Sequence, residues 1–271
     1  MLKTLIAVLA AFLAATGALA QSSSGLKALV TANDSKGWEA VGRLDIGQSG
    51  FCTGALIDDR IVLTAAHCLY NPATLGRISV DEVEFLAGWR NGRASAYRKI
   101  RRAVVHPEYV YTGPDSGEGV PYDLALLELD QPIRNGSISP YATDAWPRKG
   151  DTVGVVSYAH NRAARPALQE ACQVLARPSR TLVLTCDVDF GSSGAPIFSI
   201  TDGEPRIVSV VSAKAEMRGR KVSLGADVAG SIDLLRASLD LGRGALNPPQ
   251  PTVRRLTIEP NRGGGAKFLR P

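Results

Sequence analysis

Three short segments of this sequence contain the residue types that nucleophilic catalysis requires. Ser193 lies in the segment GSSGAP, whose glycines can form a tight turn that exposes the hydroxyl and nearby backbone N–H groups. His67 lies in the segment TAAHC, and Asp123 begins the apolar run DLALL. Because a free serine hydroxyl is a weak nucleophile, it needs a base that takes its proton and an acid that orients the base. The pattern indicates acyl transfer, with Ser193 as nucleophile, His67 as base and Asp123 as orienting acid.

Each of these residues also has an ordinary structural alternative. A Gly/Ser cluster usually marks a surface loop, and an aspartate after Pro-Tyr can be a turn acid. Among the three histidines of the chain, His106 precedes a proline at a predicted strand end, and His160 lies in a predicted loop. His67 follows a β-rich run inside TAAHC, and apolar residues follow Asp123, which favours a buried carboxylate. We therefore favour the catalytic interpretation of His67 and Asp123.

The N-terminus has the pattern of a cleaved secretory signal. Lys3 precedes an apolar run at 5–15, and the small residues Ala-Leu-Ala come just before Gln21. The run is too short for a membrane span, so we expect none. A buried N-terminal helix is the alternative. The prediction is a mature chain that begins near Gln21 and is secreted or periplasmic.

The four cysteines fit an oxidising compartment. Four cysteines allow three disulfide connectivities, among which the sequence alone does not choose. Zinc binding is the competing interpretation, but the sequence has no C-x-x-C pair, and His67 is already assigned. We predict disulfides, no bound metal and no cofactor.

The net charge of +5 is unevenly distributed along the chain. The segment 243–271 carries six basic residues against one glutamate, and Lys3 leaves with the signal, so 21–242 is left at about −1. The high pI therefore belongs to the tail and does not predict nucleic-acid binding by the folded part. The tail is rich in Pro and Gly and poor in apolar residues, which predicts disorder. Attachment to an anionic envelope surface is its functional alternative.

The remaining chain predicts an all-β fold, because short β-rich runs alternate with turn signals. Three prolines mark a connector between two sets of strands, and Ile232, Leu235 and Leu239 share one face of a helix that Gly242 ends. The predicted organisation is a signal peptide at 1–20, a loose leader or surface arm at 21–37, a first set of strands at about 38–131, a connector at 132–149, a second set at about 150–230, a helix at 231–241 and a tail at 243–271.

The segments CTG at 52–54, TAAHC, DLALL, GSSGAP and Val211-Ser212 resemble the trypsin/chymotrypsin superfamily of serine endopeptidases, especially its secreted bacterial members. The order His, Asp, Ser along the chain is also that of chymotrypsin. The resemblance covers about 38–241. It implies a domain at 38–242 with two six-stranded antiparallel β-barrels, a C-terminal helix and a catalytic cleft between the barrels.

The resemblance also implies roles for individual residues. His67, Asp123 and Ser193 would be the catalytic triad, and the N–H groups of Gly191 and Ser193 would form the oxyanion hole. Ser212 corresponds to a serine that hydrogen-bonds the triad aspartate. The family acts on protein or peptide substrates through an acyl-enzyme, without metal or cofactor, and we expect a monomer.

The resemblance extends to the cysteines. Cys52 and Cys68 match the disulfide that lies beside the histidine in this family. It thereby implies that the other two cysteines, Cys172 and Cys186, form a second disulfide shortly before the nucleophile.

The sequence departs from vertebrate-type trypsins at the residue before the nucleophile. Trypsins have an aspartate there, which pairs with a new N-terminus freed by cleavage before Ile-Val-Gly-Gly. This chain has Ser192 at that position, and 26–30 contains no such sequence. We therefore expect the active site to form without that salt bridge.

Substrate preference depends on a few positions near the nucleophile. Asp187 lies six residues before Ser193, where trypsins have the aspartate that binds Arg or Lys. Glutamyl endopeptidases can also carry an acid there, with a hydroxyl residue and a histidine at positions that are Val188 and Val211 here. Cleavage after Arg or Lys is thus favoured, with glutamyl specificity and a catalytically latent binding protein as alternatives.

Two further side chains would line the same cleft. We expect Phe190 to narrow it and Lys214 to change its charge.

Overall fold

The structure is a computed structural model that describes residues 25–47, 50–114 and 117–242. The predicted signal peptide at 1–20 and the predicted tail at 243–271 lie outside the described residues. No helix within the described ranges is long and apolar enough to cross a membrane.

The first half of the chain forms a closed antiparallel barrel of six strands, in the order β2-β3-β4-β7-β6-β5. The burial pattern of its strands agrees with their sequences. In β2, buried and half-buried residues alternate, as in a strand with one face toward a core. All five residues of β7 are buried, because helix α1 contacts this strand outside the barrel. The strands are β2 (Val41–Ile46), β3 (Gly50–Leu56), β4 (Ile61–Thr64), β5 (Val83–Ala87), β6 (Ala96–Val105) and β7 (Ala125–Leu129).

The second half forms another closed antiparallel ring, in the order β8-β9-β10-β13-β12-β11. Its apolar interior contains both Cys172 and Cys186. The strands are β8 (Thr152–Ser157), β9 (Ala167–Ala176), β10 (Thr181–Leu184), β11 (Pro196–Thr201), β12 (Glu204–Met217) and β13 (Arg220–Asp227). Helix α1 (Ile232–Asp240) follows and buries Ile232, Leu235 and Leu239. Two six-stranded antiparallel barrels and a C-terminal helix confirm the predicted fold class.

The segment 21–37, predicted to be a loose leader or a surface arm, contains one short strand among its described residues. Within this segment, β1 (Leu26–Ala28) pairs with the start of β9 as an additional strand on the second barrel. The sequence gives little sign of this strand, because its residues are mostly exposed and its stability comes from backbone pairing. Leu29, which is buried, fixes its end.

The connector between the barrels has few regular elements but is firmly attached to both. Tyr141 N donates to Leu56 O at 2.9 Å in the first barrel, and Thr143 forms a bridge with Ile207 in the second. Phe198 packs edge-on against Trp38 and Tyr141, with ring centroids 5.2 and 4.8 Å away. These contacts fix one barrel against the other, so that residues from both can form one site.

Candidate active site

His67 lies just after β4, in a single turn of 3₁₀ helix at Ala66–Leu69. The neighbouring side chains Ala65 and Ala66 are fully buried, which fixes the turn against the barrel. A disulfide with an S–S distance of 2.03 Å joins Cys68 to Cys52 on β3. The residue next to His67 is therefore covalently tied to the neighbouring strand.

Asp123 is buried and makes three hydrogen bonds, two with His67 and one with Ser212. Its Oδ1 accepts from the backbone N of His67 at 2.8 Å, and its Oδ2 lies 2.6 Å from His67 Nδ1. Ser212 Oγ, on β12 of the second barrel, donates to Asp123 Oδ2 at 2.5 Å. The carboxylate thus holds His67 through both its ring and its backbone. The other ring nitrogen, Nε2, has only a long contact, 4.0 Å from the disulfide sulfur of Cys68.

The environment of His67 changes the pKa of its imidazole in two opposing ways. Burial disfavours the imidazolium, but the negative charge of Asp123 and its hydrogen bond to Nδ1 together outweigh burial and raise the pKa of His67 above its ordinary value. An imidazole with a raised pKa is a stronger base. It can take a proton from a serine hydroxyl and hold it as an imidazolium beside Asp123.

The segment around Ser193, which we call the nucleophile loop (189–194), is held by Thr53 on β3. Thr53 N donates to Ser193 O, and Thr53 Oγ1 donates to Gly191 O, both at 2.8 Å. Gly194 has φ +79° and lies so close to the first barrel that an added Cβ would be 2.1 Å from Thr64 Oγ1. The loop therefore lies directly against the end of β4, from which the chain continues to His67.

Two backbone donors of this loop are unused. Gly191 N and Ser193 N donate no hydrogen bond to any part of the chain that the structure describes. Both belong to residues whose carbonyl groups are fixed by Thr53. A pair of fixed, free N–H groups flanking a serine can stabilise a developing oxyanion. Between the described residues Ser193 and His67 there is no hydrogen bond, as is common before substrate binds.

Behind the nucleophile loop lies a segment at 157–163, which we call the supporting loop. Ser192, the residue before Ser193, is fully buried and contacts Ser157 Oγ at 3.3 Å and Tyr158 O at 3.0 Å. Arg162 Nη2 donates to Ser192 Oγ at 3.3 Å and to Ser157 Oγ at 2.9 Å. The position that is acidic in trypsins is therefore occupied here by a hydroxyl beside a guanidinium.

The residues predicted to choose the substrate lie at the open side of the same loop. Asp187 is exposed, and its carboxylate pairs with none of the described residues. Lys214 Nζ, on β12, pairs with Asp189 Oδ1 at 2.8 Å and lies 3.9 Å from the centroid of the Phe190 ring. Phe190 is 71% exposed, so its ring is accessible to a bound chain.

Val188 and Val211 supply no polar group to this region. Val211 N and O bond to Ala195 and Gly194, so that strand β12 continues beside the nucleophile loop. Both side chains belong to or pack on the apolar interior of the second barrel.

Among the described residues, the other titratable or metal-ligating groups do not form a second site. Among the described residues, Cys52, His67 and Cys68 are close enough to hold a metal ion, but both sulfurs are in a disulfide. His106 is buried and stacks on Tyr122, with ring centroids 4.9 Å apart. A large surface depression near Ser139 lies away from the triad and has no histidine in its lining.

Sequence reasoning missed the roles of Thr53, Ser157 and Arg162. Thr53 was part of the CTG segment, but its bonds to residues about 140 positions later cannot be inferred from local sequence. An arginine in a loop is ordinarily exposed, so nothing in its sequence context distinguishes Arg162. The second disulfide, between Cys172 on β9 and Cys186, is present in the structure.

Comparisons with known proteins found similar sequences and a similar solved structure. Complement C1r-B subcomponent of Mus musculus is 34% identical over 96 residues, which are 31% of this chain and 12% of that protein. Glutamyl endopeptidase of Bacillus licheniformis is 27% identical over 150 residues, which are 55% of this chain and 45% of that protein. The chain thus spans less than half of the length of either relative.

A solved structure of a Glu endopeptidase in complex with MPD has the same fold, with a TM-score of 0.66 and 19% identity. The superposition covers 79% of this chain and 96% of the solved one. The family model described as Trypsin matches residues 31–230, well over half of the sequence. The chain belongs to the trypsin family.

Proposed function

We propose that this chain is a secreted or periplasmic serine endopeptidase that cleaves protein or peptide substrates through an acyl-enzyme. The observation that supports this most is the set of bonds from Ser212 through Asp123 to His67, next to a nucleophile loop that has two free N–H donors. Family membership supports the reaction class. The apolar N-terminal segment and the two disulfides support an oxidising compartment.

The proposed chemistry assigns one step to each group. Ser193 Oγ attacks the scissile carbonyl carbon while His67 Nε2 takes the hydroxyl proton, and the N–H groups of Gly191 and Ser193 bind the resulting oxyanion. The intermediate collapses, the C–N bond breaks, and His67 returns the proton to the leaving amine. Water then attacks the ester, with His67 again as base, and releases the acid and Ser193. Asp123 stabilises the imidazolium without taking the proton.

We propose a modest preference for cleavage after Arg or Lys, with Asp187 as the acid that selects it. Its carboxylate has no partner among the described residues, so it is available to a substrate cation. However, exposed ion pairs contribute only about 0–1 kcal/mol, so we expect a preference below about tenfold. The similar glutamyl endopeptidase from Bacillus licheniformis makes glutamate the alternative.

The test is a digest of a diverse peptide mixture by the protein beginning at Gln21, read by mass spectrometry. The matched control is Ser193→Ala. Cleavage that disappears in the variant, with labelling of Ser193 by a fluorophosphonate, would support the proposed mechanism. Equal fragments from both proteins, or none from either, would contradict it.

The substrate preference is tested separately with Asp187→Ser in the same mixture. Loss of the excess of cuts after Arg and Lys, with other cuts unchanged, would support Asp187 as the selecting acid. A majority of cuts after Glu in the original protein would overturn the preference and leave the mechanism in place.

A further inference from the structure

Arg162 is placed at the back of the nucleophile loop rather than in solvent. Its Nε is fully buried and has no hydrogen-bond partner in the described part of the chain, while Nη2 contacts the hydroxyls of Ser157 and Ser192. No carboxylate of the described residues lies within ion-pair distance of it. At the surface, Nη1 lies 3.5 Å from Asn161 Oδ1. The half-buried guanidinium therefore has only uncharged partners, and its inner side contacts hydroxyls.

Such an arrangement costs stability, because the buried Nε is unpartnered and the partly buried charge has no close counter-charge. Burial lowers the pKa of Arg162, and the nearby charges of Asp187 and Asp189 oppose that shift. An apolar side chain would fill the same space at lower cost. The presence of a charged side chain at position 162 is then best explained by the groups that it contacts.

What Arg162 contacts is the residue that controls the oxyanion donors. Ser192 Oγ also accepts from Asp189 N at 3.3 Å and reaches Tyr158 O at 3.0 Å, so one hydroxyl connects both loops. Ser192 lies between Gly191 and Ser193, whose N–H groups are the proposed donors. Any rotation of Ser192 would turn both of them.

Hydrogen bonds hold the backbone of the supporting loop, so the position from which the Arg162 side chain extends is fixed. His160 N donates to Phe190 O at 2.7 Å, next to Gly191. Ala163 O accepts from Trp89 Nε1 at 3.1 Å and from Arg43 Nη1 at 3.3 Å. The first barrel thereby holds the loop from which Arg162 extends.

We propose that Arg162 is a positioning residue that holds the nucleophile loop in its active form through Ser192. This inference rests on the proposed peptidase function and goes further, because it names what replaces the pairing of an N-terminal ammonium with an aspartate in trypsins. The cation is supplied by an internal arginine, and the acid is replaced by a hydroxyl. The oxyanion donors are then set without cleavage of the chain.

The experiment compares Arg162→Met and Arg162→Ala with the protein beginning at Gln21, on several peptide substrates. We expect Arg162→Met to lower kcat by about 10²–10³-fold, the loss typical of one oxyanion donor. KM should change by only a few fold for every substrate. Added guanidinium should restore part of the kcat of Arg162→Ala, because it can occupy the emptied site; a purely structural role would not give this rescue.

The matched control is Arg165→Met. Arg165 comes from the same part of the chain, but its Nη1 contacts Asn91 Oδ1 at 3.2 Å and not the nucleophile loop. Its kcat should equal that of the original protein. Thermal unfolding of all variants corrects kcat for the folded fraction.

The possible outcomes separate this inference from the proposed function. If Arg162→Met has unchanged kcat, or loses it only in proportion to unfolding without guanidinium rescue, the inference is wrong and the peptidase function stands. A loss confined to KM for one type of substrate residue would make Arg162 a substrate-binding residue and also overturn it. If the original protein has no turnover, or turnover that is the same in Ser193→Ala, both proposals fail.

Discussion

Ser212 Oγ donates a 2.5 Å hydrogen bond to Asp123 Oδ2, and this bond joins the second barrel to the first. The bond orients Asp123, which in turn orients His67. On the same strand, the neighbouring residue Val211 bonds to Gly194 of the nucleophile loop. One strand of the second barrel therefore positions both the nucleophile loop and Asp123, the proposed orienting acid.

Ser212→Ala should lower kcat/KM by about tenfold. Hydrogen bonds to charged groups contribute about 1.5–3 kcal/mol, of which only the part lost in the transition state slows the reaction. Ser209→Ala is the matched control, since Ser209 is buried in the same strand and donates to Ala226 O at 2.7 Å. It should lose stability but keep kcat/KM. Equal losses of kcat/KM in both variants would show that Ser212 acts only through stability.

The pH dependence should follow the raised pKa of His67. Because His67 acts as a base only when neutral, kcat/KM should rise with pH through an apparent pKa above about 6.5. Asp123→Asn removes the charge and acceptor that raise this pKa, so the rise should move to lower pH. Its kcat should also fall by about 10⁴-fold. An NMR titration of His67 in Ser193→Ala measures the same pKa without turnover, and a value below 6.5 would contradict the argument.

Gly194→Ala should abolish most activity because two effects combine at this residue. Its φ is +79°, and an added Cβ would lie 2.2 Å from Thr53 O, a backbone atom that cannot move easily. A shift of about 1 Å in the nucleophile loop would lower kcat by about 10²-fold.

Gly203→Ala separates the two effects, because Gly203 has φ +82° with nothing within 4 Å of an added Cβ. It should lose only about 1–2 kcal/mol of stability, measured by urea unfolding, and keep kcat. If Gly194→Ala behaves in the same way, the close approach to Thr53 is unimportant.

The two disulfides should differ in what their removal changes. Replacing both cysteines of either pair by alanine should lower the free energy of unfolding by about 3 kcal/mol, since the loops have similar length. Loss of Cys52–Cys68 frees the turn that carries His67 and should lower kcat. Loss of Cys172–Cys186 frees the residue before Asp187 and should change KM. Steady-state kinetics, corrected for the folded fraction of each variant, measures kcat and KM. Identical changes of kcat and KM in the two variants would contradict this prediction.

The sequence predicts most of the fold and indicates the candidate site residues for a physical reason. His67, Asp123 and Ser193 each lie in a short segment next to an apolar strand, so local pattern indicates both the residue and its support. Arg162 and Thr53 are different, since each acts on a segment that only the folded topology brings near. Their contacts to Ser192 and Gly191 span 30 and 138 positions of sequence.

The segment 21–37 is a second case in which local sequence does not indicate a contact with a distant part of the chain. Polar, mostly exposed residues predict a loose segment, whereas backbone pairing of β1 with β9 depends on a strand edge far along the chain. Side-chain pattern does not report such pairing.

The division of the site between two separately closed barrels has a mechanical consequence. His67 and Asp123 lie in segments that adjoin strands of the first barrel, whereas Ser193 precedes β11 and Ser212 lies on β12 of the second barrel. A small sliding of one barrel past the other therefore breaks no pairing between the strands of either barrel. Such sliding would nevertheless separate Ser212 from Asp123. Turnover should therefore be lost at denaturant concentrations below those that unfold either barrel. The midpoint of inactivation then measures the strength of the contacts between the two barrels.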